Sequence, residues 1–215
     1  MSDLQPVQRD LARLLFSLPE AAGYALAGGA ALVMQQIVDR DTRDLDAFIA
    51  ATPGPAPGTV DLLADAFTVA AQRAGWSLKT IRRHPTFCRF ILHRDDDIVE
   101  LDLAVDSPLL EPPRAIDGIP VLTPRDLAAR KLLAIIDRLE ARDYTDLYAL
   151  AHLVGQQICI DSALSMDAGL SISAIAEAFE RVDRIPDDRF PDRATDAATT
   201  RRFFTTWSHD LLDDH

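Results

Sequence analysis

At 215 residues, 48% of them hydrophobic, the chain is long enough for one well-buried core or for two small domains sharing an interface, which marks it as globular. It carries 34 acidic against 22 basic residues, a formal net charge of −12, which argues against a protein that coats nucleic acid nonspecifically, because phosphate binding draws on clustered Lys and Arg. No apolar run reaches the roughly 18 residues of a bilayer span and "MSDLQPVQRD" has no basic-then-apolar leader, so a cytoplasmic protein with no membrane partner is expected.

Along the chain, Val7 to Leu18 has helical spacing, "YALA" reads as a short buried strand, Gly28 and Gly29 punctuate it, and Ala30 to Val38 resumes a helix. The loop "TPGPAPG" closes this first unit. Val60 to Ala74 reads as a helix, followed by three strands, Ser77 to Arg82, Phe87 to His93 and Ile98 to Leu103, whose tight connections "RHPT" and "RDDD" predict an antiparallel meander. From Thr123 the pattern is helical, with Thr as N-cap, Pro at the first position and two helices' worth of 3.6-residue periodicity through Val154. Ser173 to Val182 and Thr195 to Leu212 read as further helices, separated by "DRIPDDRFPDR". The expected fold is therefore α/β over residues 1–120, with a mixed or antiparallel sheet, and helical over 121–215. Cys88 and Cys159 suit a reducing compartment and are expected to be buried as small apolar side chains.

The chemistry concentrates in "LAGGAALVMQQIVDRDTRDLDAFIA". In a strand, Asp44 and Asp46 project to one face while Leu45 and Ala47 face the other. Two carboxylates so placed repel unless a cation sits between them, and a hard divalent ion, Mg²⁺ or Mn²⁺, suits the pair. A Gly-Gly turn before a helix lets backbone N–H groups approach a phosphate. Each feature alone is common as an exposed strand end or an ordinary turn. "IVELDL" adds Glu100 and Asp102 on one strand face, and if that strand lies beside Asp44 and Asp46, a three-carboxylate site for phosphoryl displacement results.

Two basic clusters leave a local anion site open against the alternative of solvated, ion-paired faces: Arg82, Arg83, His84 and Arg89, then Arg125, Arg130, Lys131, Arg138 and Arg142. Lysine is rare here, only Lys79 and Lys131. On a helical wheel Ala128, Leu132, Ile135 and Leu139 centre a buried stripe with Lys131 on its flank, where the stem packs and the ammonium can reach a cleft. Asp143 and Asp146, at i and i+3, share a helix face.

Taken in order, "GGAAL", "RDTRDLD", "VELDL" and "KLLAIIDRLEARDYTDLYAL" resemble the AbiEii-type nucleotidyltransferase toxins, a branch of the DNA polymerase β nucleotidyltransferase superfamily, over about Tyr24 to Leu150. The resemblance implies a polymerase-β-like core with Gly28 and Gly29 as the phosphate-binding turn, Arg40 and Thr42 beside the nucleotide, Asp44 and Asp46 as metal ligands and Asp102 as the third carboxylate. It assigns Lys131, Asp143 and Asp146 to the family's lysine and "RDxxDL" acids. It further implies a nucleoside triphosphate substrate, a divalent metal, an RNA acceptor such as a tRNA 3′ end, and a cognate antitoxin protein. Where the family carries Ser or Thr after the two glycines this chain has Ala30, which keeps open a nucleotide-binding module without transfer activity; a phosphohydrolase using the same carboxylates is a further alternative.

Overall fold

The structure, a computed structural model, describes residues 3–51, 58–192 and 194–213. The chain divides into two compact units, one formed by the chain up to Gln35 together with Asp41–Thr123, the other by Gln36–Arg40 and the chain from Pro124 onward.

The first unit is built on a seven-stranded mixed sheet. Its strands are β1 (Tyr24–Ala27), β2 (Asp44–Ala50), β3 (Ser77–His84), β4 (Phe87–Arg94), β5 (Asp97–Asp106), β6 (Arg114–Ile116) and β7 (Ile119–Val121), in the order β3-β4-β5-β2-β1-β7-β6. The β3-β4-β5 meander is antiparallel, β5 runs parallel to β2, β2 antiparallel to β1, and β1 parallel to β7. Period-2 alternation decides the faces. Leu45, Ala47, Cys88, Phe90, Leu92, Val99, Leu101 and Leu103 are all buried. Against β3, β4 and β5 packs α3 (Thr59–Arg73), which brings Leu63, Ala64 and Phe67; the Phe67 and Phe90 ring centroids lie 6.1 Å apart. In turn α1 (Pro6–Phe16) packs on α3. The opposite sheet face carries the polar residues of β2 and β5.

Several expectations are corrected. The helix after β1, α2 (Gly28–Met34), starts on the two glycines themselves and stops before Val38, where Gln36 takes a left-handed φ of 58°. The β6–β7 hairpin is not anticipated above, although "IDGI" carries its signal: Asp117 and Gly118 both have positive φ, as a two-residue turn matched to strand twist requires. Residues 52–57 of the loop "TPGPAPG", and Arg193, lie outside the described residues.

The second unit is helical: α4 (Pro124–Asp137), α5 (Ala141–Val154), α6 (Gln156–Met166), α7 (Ile172–Glu180) and α8 (Ala197–Asp213). Its core is aromatic. Phe179 meets Phe204 at 5.0 Å and Trp207 at 4.6 Å, and Tyr144 meets Phe204 edge-on at 5.1 Å while its hydroxyl donates to the Ala178 carbonyl. The unanticipated α6 restarts directly after Gly155, whose φ of 97° interrupts the helical pattern. Because α4 ends at Asp137, Leu139 leaves the expected buried stripe and is 40% exposed, whereas Ala128, Leu132 and Ile135 are fully buried. Both cysteines are buried, as expected, and burial raises their thiols to about 11 for Cys88 and about 12 for Cys159.

Candidate active site

Strand pairing brings the acids together. In the parallel β2–β5 register, Asp44 lies opposite Glu100 and Asp46 opposite Asp102, so these carboxylates share the polar face of the sheet. Asp44 is oriented by Thr42, whose hydroxyl donates to Oδ1 at 2.8 Å; the Gln8 side-chain amide in turn donates to the Thr42 carbonyl at 2.9 Å. On the neighbouring strand Ala27 pairs with Asp46, so the next residue, Gly28, begins α2 directly against that carboxylate. A Cβ at Gly28 would stand 1.8 Å from Asp46 Oδ2, and the backbone there has a φ of +59°. Only glycine satisfies both demands. Gly29 and Ala30 follow, both buried in the first turn of α2.

Among the described residues, no group of three or more His, Cys, Asp or Glu side chains is arranged to hold a metal ion. Asp102 is engaged by Arg89 on β4, directly opposite it. Its Nε donates to Oδ1 at 2.8 Å and its Nη2 to Oδ2 at 2.6 Å, while Nη1 lies 3.2 Å from Glu100. A guanidinium fork of this kind satisfies both oxygens of a carboxylate at once. The signal is countable: closing the meander over a two-residue Asp95–Asp96 turn, with Arg94 opposite Asp97, sets Arg89 opposite Asp102. The donor chemistry of Asp44 and Asp46, paired carboxylates with intermediate exposure, still fits a hard divalent cation. Both oxygens of Asp102 already accept from Arg89.

The helical unit holds the other candidate residues in a charged cluster of its own. Lys131 Nζ donates to Asp143 Oδ1 at 2.8 Å and lies 2.8 Å from Asp146 Oδ2; both aspartates are fully buried. Arg40 grips Asp146 through Nε at 2.8 Å and Nη2 at 2.7 Å, and Arg138 Nε donates to Asp143 Oδ2 at 2.7 Å. Lys131 is buried, and two carboxylates at i and i+3 meet its ammonium from α5. Burial opposes its charge, but Asp146 and Asp143 outweigh burial and raise its pKa above the ordinary lysine range. Burial likewise opposes ionisation of Asp143 and Asp146; Lys131 with Arg138, and Lys131 with Arg40, reverse this and hold both below the usual carboxylate range.

The basic clusters separate. Arg83 is engaged by Asp61 and Asp65 of α3, Arg130 by Asp126, and Arg125 donates to the Ser162 hydroxyl. Among the described residues, Lys79, Arg82 and His84 have no carboxylate partner.

The first unit is thus an α/β fold in which a glycine-started helix packs on the strand that carries the paired acids, and the second unit is helical. The chain belongs to the nucleotidyl transferase AbiEii toxin family, type IV toxin–antitoxin system, whose model matches residues 9–211. It is a nucleotidyltransferase of toxin type. No curated protein matches the sequence. The fold is shared with JHP933 from Helicobacter pylori, at 16% identity and a TM-score of 0.62 over 99% of this chain and 94% of that one. It is shared also with MenT4, a nucleotidyltransferase toxin from Mycobacterium tuberculosis, at 15% identity and a TM-score of 0.51 over 93% of this chain and 84% of that one. Among the described residues no helix is long and apolar enough to cross a membrane.

Proposed function

We propose that the chain transfers a nucleoside monophosphate from a nucleoside triphosphate to a hydroxyl of an RNA acceptor, such as a tRNA 3′ end, in a reaction that needs Mg²⁺ or Mn²⁺ and is restrained by a cognate antitoxin protein. The observation that carries this reading is the packing of Gly28 onto Asp46 with Asp44 one pleat away, because it sets a glycine-opened backbone beside a pair of carboxylates. Asp44 and Asp46 hold the divalent ion, which when bound offsets the charge of the phosphates and of the departing pyrophosphate. Thr42 keeps Asp44 oriented, and Gly28 and Gly29 let the backbone come close to phosphate oxygens. The acceptor oxygen forms a bond to the α-phosphorus as the bond to pyrophosphate breaks, and the hydroxyl proton leaves to a carboxylate or to solvent. In the helical unit, Asp146 and Asp143 favour the charged form of Lys131.

The test is incubation with each α-labelled triphosphate, Mg²⁺ and total tRNA. Label on RNA is expected, and it should vanish in Asp44→Asn and in Asp46→Asn while their melting curves stay close to wild type. Labelled mononucleotide in place of labelled RNA would indicate the hydrolase, and retained unreacted nucleotide the binding module.

A further inference from the structure

The Ser77–Arg94 stretch holds five Lys and Arg residues, two His and no acid, in a chain whose net charge is −12. It forms the β3–β4 hairpin at one edge of the sheet, and the residues of β3 are largely exposed. A β-bulge between Thr80 and Arg82 changes the side to which successive residues point. Arg83 turns to the covered face and engages Asp61 and Asp65 of α3. Lys79, Arg82 and His84 instead fall on the face of the paired carboxylates, because register partners project together. One row reads Arg82, Arg89, Asp102, Asp46 across four strands, and the next reads Lys79, Ile91, Glu100, Asp44. The ring of Phe87 is flanked by both guanidinium groups, Arg82 at 5.6 Å and Arg89 at 5.7 Å, and an open pocket of about 450 Å³ is lined by Arg82, His84, Pro85, Thr86 and Phe87.

We propose that this hairpin face is the track on which the acceptor's single-stranded end lies, with phosphates on Lys79 and Arg82 and a base stacked against Phe87 and its guanidinium neighbours. The proposal rests on the transfer reading above. Its physical basis is the change of sign along the row, from cations at the sheet edge to carboxylates about 14 Å further in, three strand spacings away. The terminal hydroxyl is the part of a polynucleotide end with no phosphate charge, so it alone is suited to approach the acids while the phosphates trail over the cations. Stacking on aromatic and guanidinium planes tolerates any base and favours unpaired nucleotides. Edge-strand cations also discourage strand-to-strand aggregation, a role that predicts changed solubility and no effect on RNA affinity.

The experiment is fluorescence anisotropy of the full chain with a 5′-labelled single-stranded 12-nucleotide RNA bearing a free 3′ hydroxyl, across a salt series. Arg82→Ala and Lys79→Ala should each raise the dissociation constant roughly three- to tenfold and lower the salt slope by about 0.7, the loss of one single-strand phosphate contact. Arg82→Lys should keep the slope. Phe87→Leu should weaken binding with the slope unchanged, and the exposed control Arg73→Ala should do nothing. Unaltered RNA affinity in the Lys79→Ala/Arg82→Ala double variant would overturn the track, as would a loss of nucleotide affinity with RNA affinity intact. Wild-type protein that binds RNA through these residues yet labels none would leave the track standing and remove the transfer reading; labelling of RNA at an unchanged rate in the double variant would do the reverse.

Discussion

Arg89 holds both oxygens of Asp102, at 2.8 and 2.6 Å, in the row of the sheet where Asp46 is the next residue. A guanidinium here takes the part a second cation would take, neutralising one acid of a crowded set. A divalent ion that used Asp102 would therefore compete with Arg89. Removing the guanidinium in Arg89→Gln should tighten Mn²⁺ binding about tenfold or more, since a hydrogen bond to a charged group is worth roughly 1.5–3 kcal/mol and 1.4 kcal/mol is tenfold. Calorimetric titration of Mn²⁺ into both proteins without nucleotide reads this directly. Equal affinities would mean that the ion uses Asp44 and Asp46 without Asp102.

Gly28 and Gly118 both have positive φ, +59° and +79°, but only Gly28 faces an obstacle: Asp46 Oδ2 would lie 1.8 Å from a Cβ there, against nothing within 4 Å at Gly118. An L-residue in the left-handed region costs about 1–2 kcal/mol. Gly118→Ala should therefore lower the thermal midpoint by a few degrees and leave transfer activity intact. Gly28→Ala should lower the midpoint further and abolish transfer, because the carboxylate must move. A Gly28→Ala variant with wild-type activity would show that Asp46 is free to shift without consequence.

The acid pair was legible in the sequence because strand alternation has a fixed period of two, and burial follows it: Leu45 and Ala47 are inside, Asp44 and Asp46 are not. The parallel pairing of β2 with β5 was legible only as a condition, since it joins segments more than fifty residues apart and no local pattern sets it. Arg89 on Asp102 was countable from the hairpin turn, yet a residue read as part of a basic cluster conceals its cross-strand partner. The Arg40–Asp146 pair spans 106 residues, and spacing says nothing about it. The buried state of Lys131 was concealed for a related reason, because a wheel drawn for α4 alone omits α5 and its two carboxylates.

Breaking the helical unit's charged cluster should be far more costly than breaking the exposed pairs of the sheet unit. Lys131→Ala leaves Asp143 and Asp146 buried without their shared cation, and removing one partner of a buried pair destabilises by about 3–5 kcal/mol. Asp65→Ala removes a solvent-exposed partner of Arg83 and should change stability by about 1 kcal/mol or less. Urea unfolding of the two variants beside wild type makes the comparison. A Lys131→Ala midpoint within error of wild type would show that the cluster is not a stabilising element.

The same cluster sets a pH dependence with a definite sign. Asp143 and Asp146 are held below their ordinary pKa in the folded protein, so the stability they contribute is present above the unfolded carboxylate value of about 3.9 and is lost as pH falls through their folded values. Lys131 is held above its ordinary value, so its contribution is complete below about 10.4 and is lost only as pH rises through its folded value. Burial also raises the Tyr24 and Tyr144 hydroxyls to about 12, which adds to the loss on the alkaline side and leaves the acid side as the cleaner reading. Between pH 5 and 9 the cluster's contribution should be level. In Lys131→Met, protonation relieves the unpaired carboxylates instead of breaking an ion pair, so its deficit against wild type should be largest near neutral pH and shrink below about pH 4. Urea midpoints of both proteins from pH 3 to pH 9 read the difference, and a deficit that stays constant across that range would mean that Lys131 stabilises the helical unit by packing and not by charge.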